Sequence, residues 1–345
     1  MRHGPAFLYF VLLNVGCSSP TNTGAAATRT KPAACLTPQH EVTTLYSGNV
    51  SAFVAVDHDI VVQSDGIVRV AMSTGQVTQI AMVQDPYDVV ALDGTLYFTA
   101  EVSTGITDAQ GKQPTESVFQ SVSTDGDGGT PQTIPGIAPG NLAHAVDDDS
   151  LYFDAIGANA AVLKLTPPSA TPVELDLDGS LLINAIAVHD GQVYVAGDDF
   201  ASPSATQNGV IERVAKSGGR AERLVSDIGH PFNLVATDDG LYWTEDPPNF
   251  GSGHIVHSNL DGSSRRSLLE TSASSLAVAG GRIYFTAGDV ESISTSGGSA
   301  TTLATDLQNP GMLLVTGSNL VWLDPATKAR SDPTVPSVMT TCIAE

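Results

Sequence analysis

Positive charge is scarce in this chain. Its 345 residues include 15 Lys and Arg against 37 Asp and Glu, a formal net charge of −22. So acidic a surface repels phosphate backbones and anionic headgroups, which excludes nucleic acid and leaves cations, neutral sugars, peptides or basic protein surfaces as partners. Aromatics are few as well, at 6%, although apolar residues at 41% suffice for a core. With 33 Gly and 20 Pro, the chain is broken too often for long helices. Only three cysteines occur, with no CxxC and no Cys/His grouping, so a zinc site has no support. The chain also lacks a G-x-S-x-G elbow, a Walker loop and a Rossmann glycine fingerprint. No catalytic motif is written, and the balance tips away from an enzyme.

What the chain has instead is one phrase written seven times: an apolar run, a tight polar turn and a second apolar run. The copies are SAFVAVDHDIVVQ, YDVVALDGTLYFT, NLAHAVDDDSLYFD, INAIAVHDGQVYVA, FNLVATDDGLYWTE, SSLAVAGGRIYFTA and MLLVTGSNLVWLD. Anchored on Ile60, Leu96, Leu151, Val193, Leu241, Ile283 and Leu320, they are spaced by 36, 55, 42, 48, 42 and 37 residues. That period suits propeller blades and also helical repeats of about 40 residues. The local pattern decides for strands. The runs are short and rich in Val, Ile, Leu, Tyr and Phe, and Asp-Gly and Gly-Gly breaks suit the turns that close β-hairpins.

Behind each hairpin lie two further strand candidates, such as Val210 to Val214 and Ala221 to Leu224 around Gly218-Gly219. Each unit is then a four-stranded antiparallel meander, apolar on both faces in its inner two strands and more polar in its outer two. Seven such units closing radially predict an all-β, seven-bladed β-propeller over residues 41–345, with six or eight blades as the neighbouring alternatives. The last unit lacks clear outer strands of its own. Glu41 to Tyr46 and Val338 to Ile343 both match an outer strand, so the two chain ends are predicted to meet in the seventh blade.

Gly240-Leu241-Tyr242-Trp243-Thr244-Glu245 resembles the Tyr-Trp-Thr-Asp repeat of propellers of the low-density-lipoprotein-receptor type, and related bacterial lipoprotein propellers. Leu96 to Thr99, Leu151 to Asp154 and Ile283 to Thr286 are looser versions. The resemblance implies a secreted propeller of a class that mostly binds proteins or peptides, with a minority of enzymes.

At the N-terminus, Arg2 and His3 precede a mostly apolar stretch from Ala6 to Gly16, shorter than the roughly 20 residues of a membrane span. It ends at Gly16-Cys17-Ser18-Ser19-Pro20 and resembles a bacterial lipoprotein signal, although Asn14 stands where that family usually has Leu. The resemblance implies lipidation at Cys17 after a signal over 1–17; ordinary cleavage near Ala25-Ala26-Ala27 is the alternative. Residues 18–40 are then a flexible tether, with its Ser, Thr, Ala and Pro concentrated in 18–34. The expected location is the bacterial cell envelope, lipid-anchored, or else soluble in the periplasm or outside the cell. With Cys17 lipidated, Cys35 and Cys342 remain as a natural disulfide pair or as two unrelated thiols. A bond between them would staple the ring, contributing on the order of 4 to 5 kcal/mol in the chain-entropy model.

Chemistry is expected where second strands pass to third strands, on one face of the ring. The longest of these connections run over 99–117, 196–209 and 245–253, in blades two, four and five. The first two exceed the roughly 12 residues beyond which a loop in a compact domain leans functional. They nominate Glu101, Asp108, Asp198, Asp199, Glu245 and Asp246 as binding residues. A carboxylate follows every anchor at this strand end, adding Asp65, Asp154, Asp289 and Asp324 to an acidic collar. Such a collar either draws in a cation or a basic ligand group or, as its tracking of the repeat favours, caps backbone amides and pairs with neighbouring blades. Calcium is the one cofactor this leaves open, and Asp125-Gly126-Asp127 lacks the Glu that would complete an EF-hand loop. His144 and His189 belong to innermost strands as ordinary core or channel residues, while His254 and His257 fall on opposite faces of a strand. The expected function is a monomeric, lipid-anchored binding or scaffold propeller for an envelope protein, peptide or glycan. A hydrolase or lyase using channel-mouth carboxylates or calcium is the alternative.

Overall fold

Each copy of the repeated phrase forms the inner half of one antiparallel sheet. The structure is a computed structural model that describes residues 14–15, 41–103, 115–125, 129–135, 137, 144–154, 161–169, 171–178, 181–201, 208–246, 252–307, 309–325 and 336–343. Its strands form seven sheets, and no helix occurs among the described residues. Blade four is typical, with strands Leu181–His189, Gln192–Asp199, Gly209–Ala215 and Glu222–Ile228 in sequence order. Blade five follows with His230–Thr237, Gly240–Asp246, His254–Ser258 and Arg266–Glu270. The third sheet carries an additional short strand, Asn14–Val15, parallel to its innermost strand His144–Val146.

The ring closes as the sequence predicts. In the seventh sheet Gly311–Thr316, Asn319–Asp324 and Ser337–Cys342 come from the C-terminal end, and Thr43–Ser47 from the N-terminal end supplies the outermost strand. Thr43 pairs with Thr340 and Ser47 with Ser337, and the hydroxyls of the two serines lie 2.7 Å apart. Tyr46 extends the joint to the first blade through a 3.1 Å hydrogen bond with Ser64.

Why the phrase contains adjacent large residues follows from the two-residue period of a strand. Successive side chains point to opposite faces of the sheet, and in a propeller each face meets a different neighbour. Leu241 and Trp243 pack back onto blade four, among Tyr194 and Ile211, whereas Tyr242 packs forward with Ile283 and Phe285 of blade six. Likewise Leu151 and Phe153 face blade two, and Tyr152 faces blade four with Val193 and Val195. The core is therefore a set of apolar slabs between blades, with Trp243 and Trp322 both fully buried. Each fully buried side chain contributes about 1.5–3 kcal/mol.

The turns obey the chemistry read from sequence. Asp93-Gly94, Asp190-Gly191 and Gly280-Gly281 all have positive φ at both residues, as two-residue hairpin turns with matching twist require.

Candidate functional site

Because every blade is the same meander, second strands end and first strands begin at one edge of the ring, on a common face. Here four innermost strands depart from regular pairing at the same place. Register shifts fall between Tyr87 and Val90, Ile183 and Ala185, Phe232 and Val235, and Gly311 and Leu313. Asp88, Asn233 and Met312 take positive φ there, at 58°, 50° and 35°. A β-bulge re-aims its side chain. Asn233 donates to Thr244 Oγ1 at 2.9 Å and Asn184 to Asp198 Oδ2 at 2.9 Å, each reaching from the channel strand to the end of the second strand.

Blade two places a carboxyl where blades four and five place these amides. Asp88 lines a void of about 10 Å³ with Val90, Phe119, Ala145, Leu151, Tyr152 and Phe153, at the edge of the size that holds one water. Burial, reinforced by the negative charge of Asp154, pushes the Asp88 pKa up to about 7.

The densest polar arrangement lies between blades four and five. Asp198, buried at the end of its strand, receives Asn184 on one oxygen and lies 2.8 Å from His230 Nδ1 with the other. His230 begins the next blade's first strand and keeps 43% of its side chain exposed. Directly across the sheet from His230 stands Asp246, an exposed carboxylate. Partial loss of surrounding water raises the Asp246 pKa, and the positive form of His230 acts in the opposite direction. Two large apolar side chains open onto the same hairpin mouth: Leu182, paired with Asp198, is 52% exposed, and Phe200, just past the strand end, is 68% exposed.

The neighbouring carboxylates are committed to internal contacts. Glu245 accepts Gly229 N–H at 3.1 Å, Trp243 Nε1 at 3.3 Å and Arg265 Nη2 on both oxygens, at 2.9 and 2.7 Å. Gly229 must be glycine, since a Cβ there would lie 2.1 Å from the Asp246 carbonyl oxygen. Asp199 accepts Arg223 Nη1 at 2.7 Å and Ala201 N–H at 2.9 Å. Burial alone would raise the Asp199 pKa, but these donors and the Arg223 charge outweigh it and hold it low. Arg223 also binds Glu212 and the Asp178 carbonyl, joining the linker between blades three and four to blade four.

One placement from sequence is corrected. Glu101, Asp198, Asp199, Glu245 and Asp246 do not sit in long loops; they occupy the ends of strands Thr95–Ser103, Gln192–Asp199 and Gly240–Asp246. Strand pairing depends on backbone groups and continues past the last apolar residue, so Glu101 still pairs with Ser117 and its carboxylate accepts the Ser117 hydroxyl. Hydrogen bonds from Ser117 and Thr115 lower the Glu101 pKa. Elsewhere on the collar, Asp65 accepts Asn49 Nδ2 at 3.3 Å. Asp108, Cys17 and Cys35 lie outside the described residues, as does most of the Asp125 to Gly129 segment. Cys342 is buried at the end of the closing strand. His189 pairs with Asp238 at 3.1 Å on the opposite face of the ring, and His257 lies against the Tyr242 ring with centroids 4.8 Å apart.

His230, Leu182 and Phe200 escape sequence reasoning that follows carboxylates. The signal for His230 was available in the polar residue before proline at a first-strand start, as in Asp85-Pro86, His230-Pro231 and Asn309-Pro310.

No protein-family model matches the sequence, and no curated protein matches it. Solved structures do match by shape. The β-propeller domain of the Trilobed protease from Pyrococcus furiosus, described as having an open velcro topology, aligns with a TM-score of 0.60 at 12% identity, covering 86% of this chain and 95% of that one. The computationally designed protein Ika8 aligns at 0.54 and 14% identity, covering 84% and 82%. A chain of the nidogen/laminin complex aligns at 0.48 and 16% identity, covering 68% and 84%. At these identities the first two likenesses establish shared architecture, and this chain is a seven-bladed β-propeller.

Proposed function

We propose that the protein is a binding or scaffold propeller of the bacterial cell envelope, attached by lipid at Cys17 and presenting the face where second strands end to a protein or peptide. The observation that carries this reading is the mouth between blades four and five. Exposed Leu182 and Phe200 stand at the strand end that carries Asp198, whose partner His230 keeps a half-exposed imidazole opposite the exposed Asp246, while the adjoining Asp199 and Glu245 are held by Arg223 and Arg265. Mixed apolar and polar surface of this kind is what recognition uses, and its loss would cost the fold little. The Gly16-Cys17 junction and the compositionally flexible stretch after it support attachment by a tether.

The test is capture of partners from envelope extract by the protein and by a Leu182→Glu/Phe200→Glu variant with unchanged thermal unfolding. Partners retained by the wild type and lost by the variant are expected. Identical capture by both would overturn the assignment of this face. Membrane fractionation of a Cys17→Ser variant checks the anchor separately: the expected result is transfer of the protein to the soluble fraction.

A further inference from the structure

The geometry points to a specific ligand chemistry at the blade four–five mouth: we propose that His230 and Asp246 together hold a cationic side chain, preferentially the guanidinium of an arginine, on a peptide whose neighbouring apolar side chain rests on Leu182 and Phe200. This deepens the binding reading above and rests on it.

Asp198 orients the imidazole. An ionised carboxylate only accepts hydrogen bonds, so its 2.8 Å contact with His230 Nδ1 requires the proton to sit on that nitrogen. In the neutral ring, the form that this proposal requires, Nε2 is then an acceptor. Asn184, holding the other Asp198 oxygen at 2.9 Å, fixes the carboxylate and so fixes the ring. The ring is not sealed in, with 43% of the side chain open to solvent.

A second acceptor stands beside it. Residues directly opposite in an antiparallel pair have Cβ atoms about 4.5–5.5 Å apart, and His230 and Asp246 are such a pair. Asp246 differs from the acids around it: Asp199 is bound by Arg223 and Glu245 by Arg265, whereas no Lys or Arg among the described residues forms an ion pair with Asp246. Two acceptors at this spacing, one of them negative, call for a ligand with several donors and positive charge. Guanidinium offers five N–H donors in a planar fork and bridges two acceptors better than the compact ammonium of lysine. The apolar shoulders supply the remainder. Leu182 and Phe200 can cover the methylene stem or an adjacent apolar residue, and an aromatic face also attracts a cation. A net charge of −22 draws such a ligand in and disfavours acidic competitors.

The probes are three blocked dipeptides, acetyl-Phe-Arg-amide, acetyl-Phe-citrulline-amide and acetyl-Phe-Glu-amide, titrated against the full chain at low salt by ligand-observed NMR. Citrulline keeps the shape of arginine and removes its charge. The arginine peptide is expected to bind about tenfold more tightly than the citrulline peptide, as loss of a charge-assisted hydrogen bond predicts. Asp246→Asn and His230→Gln are each expected to reduce arginine binding severalfold and to leave citrulline binding nearly unchanged. Equal binding of the arginine and citrulline peptides, full arginine affinity in the Asp246→Asn variant, or no binding of any probe would overturn the proposal. Because Asp246 is exposed, its variant folds even if His230→Gln does not. Should these probes fail while the Leu182→Glu/Phe200→Glu variant still loses envelope partners, the cationic anchor falls and the binding face stands.

Discussion

At the scale of single residues, Asp88 shows how one atom's difference changes the behaviour of a fold. The bulges in blades four and five carry Asn184 and Asn233, which need no proton to stay neutral; Asp88 does. Its pKa, raised by burial to about 7, means the folded state holds a proton that the unfolded state releases near pH 4. The folded state binds more protons between those values, so the contribution of this carboxyl to stability is fully present below about pH 4, falls as pH rises, and is lost above about pH 7. Every tenfold difference in proton affinity between the two states is worth about 1.4 kcal/mol. Asp88→Asn should flatten the decline in thermal midpoint between pH 4 and 7 and leave the variant more stable than wild type at pH 8, measured by calorimetry across the range. A variant with an unchanged pH slope would show that this carboxyl is not the source. Glu245 presents the opposite case, a buried acid surrounded by donors. Arg265→Ala removes the charge from both its oxygens, and breaking a buried pair this way costs about 3–5 kcal/mol at full burial, less here because Arg265 is 41% exposed.

At the scale of elements, the second strand of each blade is the structural keystone, and Trp243 is its largest contribution to the slab between blades four and five. Trp243→Ala should destabilise by about 3–5 kcal/mol, whereas Trp243→Phe, which resembles Phe98 and Phe285 at the same repeat position, should cost much less. Chemical denaturation of the two variants provides the comparison, and equal losses would mean that ring volume is not what matters there. This element was legible in sequence because alternating apolar pairs and Asp-Gly or Gly-Gly turns are local signals that survive without knowledge of neighbours. Strand ends were not legible. Glu101, Asp198 and Asp246 look like loop residues by composition, yet the backbone goes on pairing through them. The bulges at Asp88, Asn184 and Asn233 were hidden for a related reason: a register shift is set by what the strand pairs with and leaves no periodic mark. The mouth was half legible, since the carboxylates were named but the imidazole oriented by Asp198 depends on contact across two blades.

At the scale of the whole molecule, closure converts seven weakly independent sheets into one object. An open row would leave two sheet faces bare, and the strand Thr43–Ser47 prevents this by pairing with Ser337–Cys342. The proposed Cys35–Cys342 bond would reinforce the same joint: Cys342 ends the strand that Thr43–Ser47 covers, and Cys35 precedes Thr43 by eight residues. Cys342→Ser is expected to lower the thermal midpoint by several degrees under oxidising conditions, in line with about 2–5 kcal/mol for a native disulfide, and to match reduced wild type. If reduction left wild type unchanged, the staple would be absent. The position of that outermost strand also has a mechanical meaning. A chain held at a membrane through its N-terminal end would deliver a pull to the closing joint, first to the Cys35–Cys342 bond where it is formed and otherwise to Thr43–Ser47, the strand whose pairing closes the circle. Without that bond, load would meet a short zipper of backbone hydrogen bonds before it met any apolar slab, so the latch of the ring and its mooring line lie on the same stretch of polypeptide.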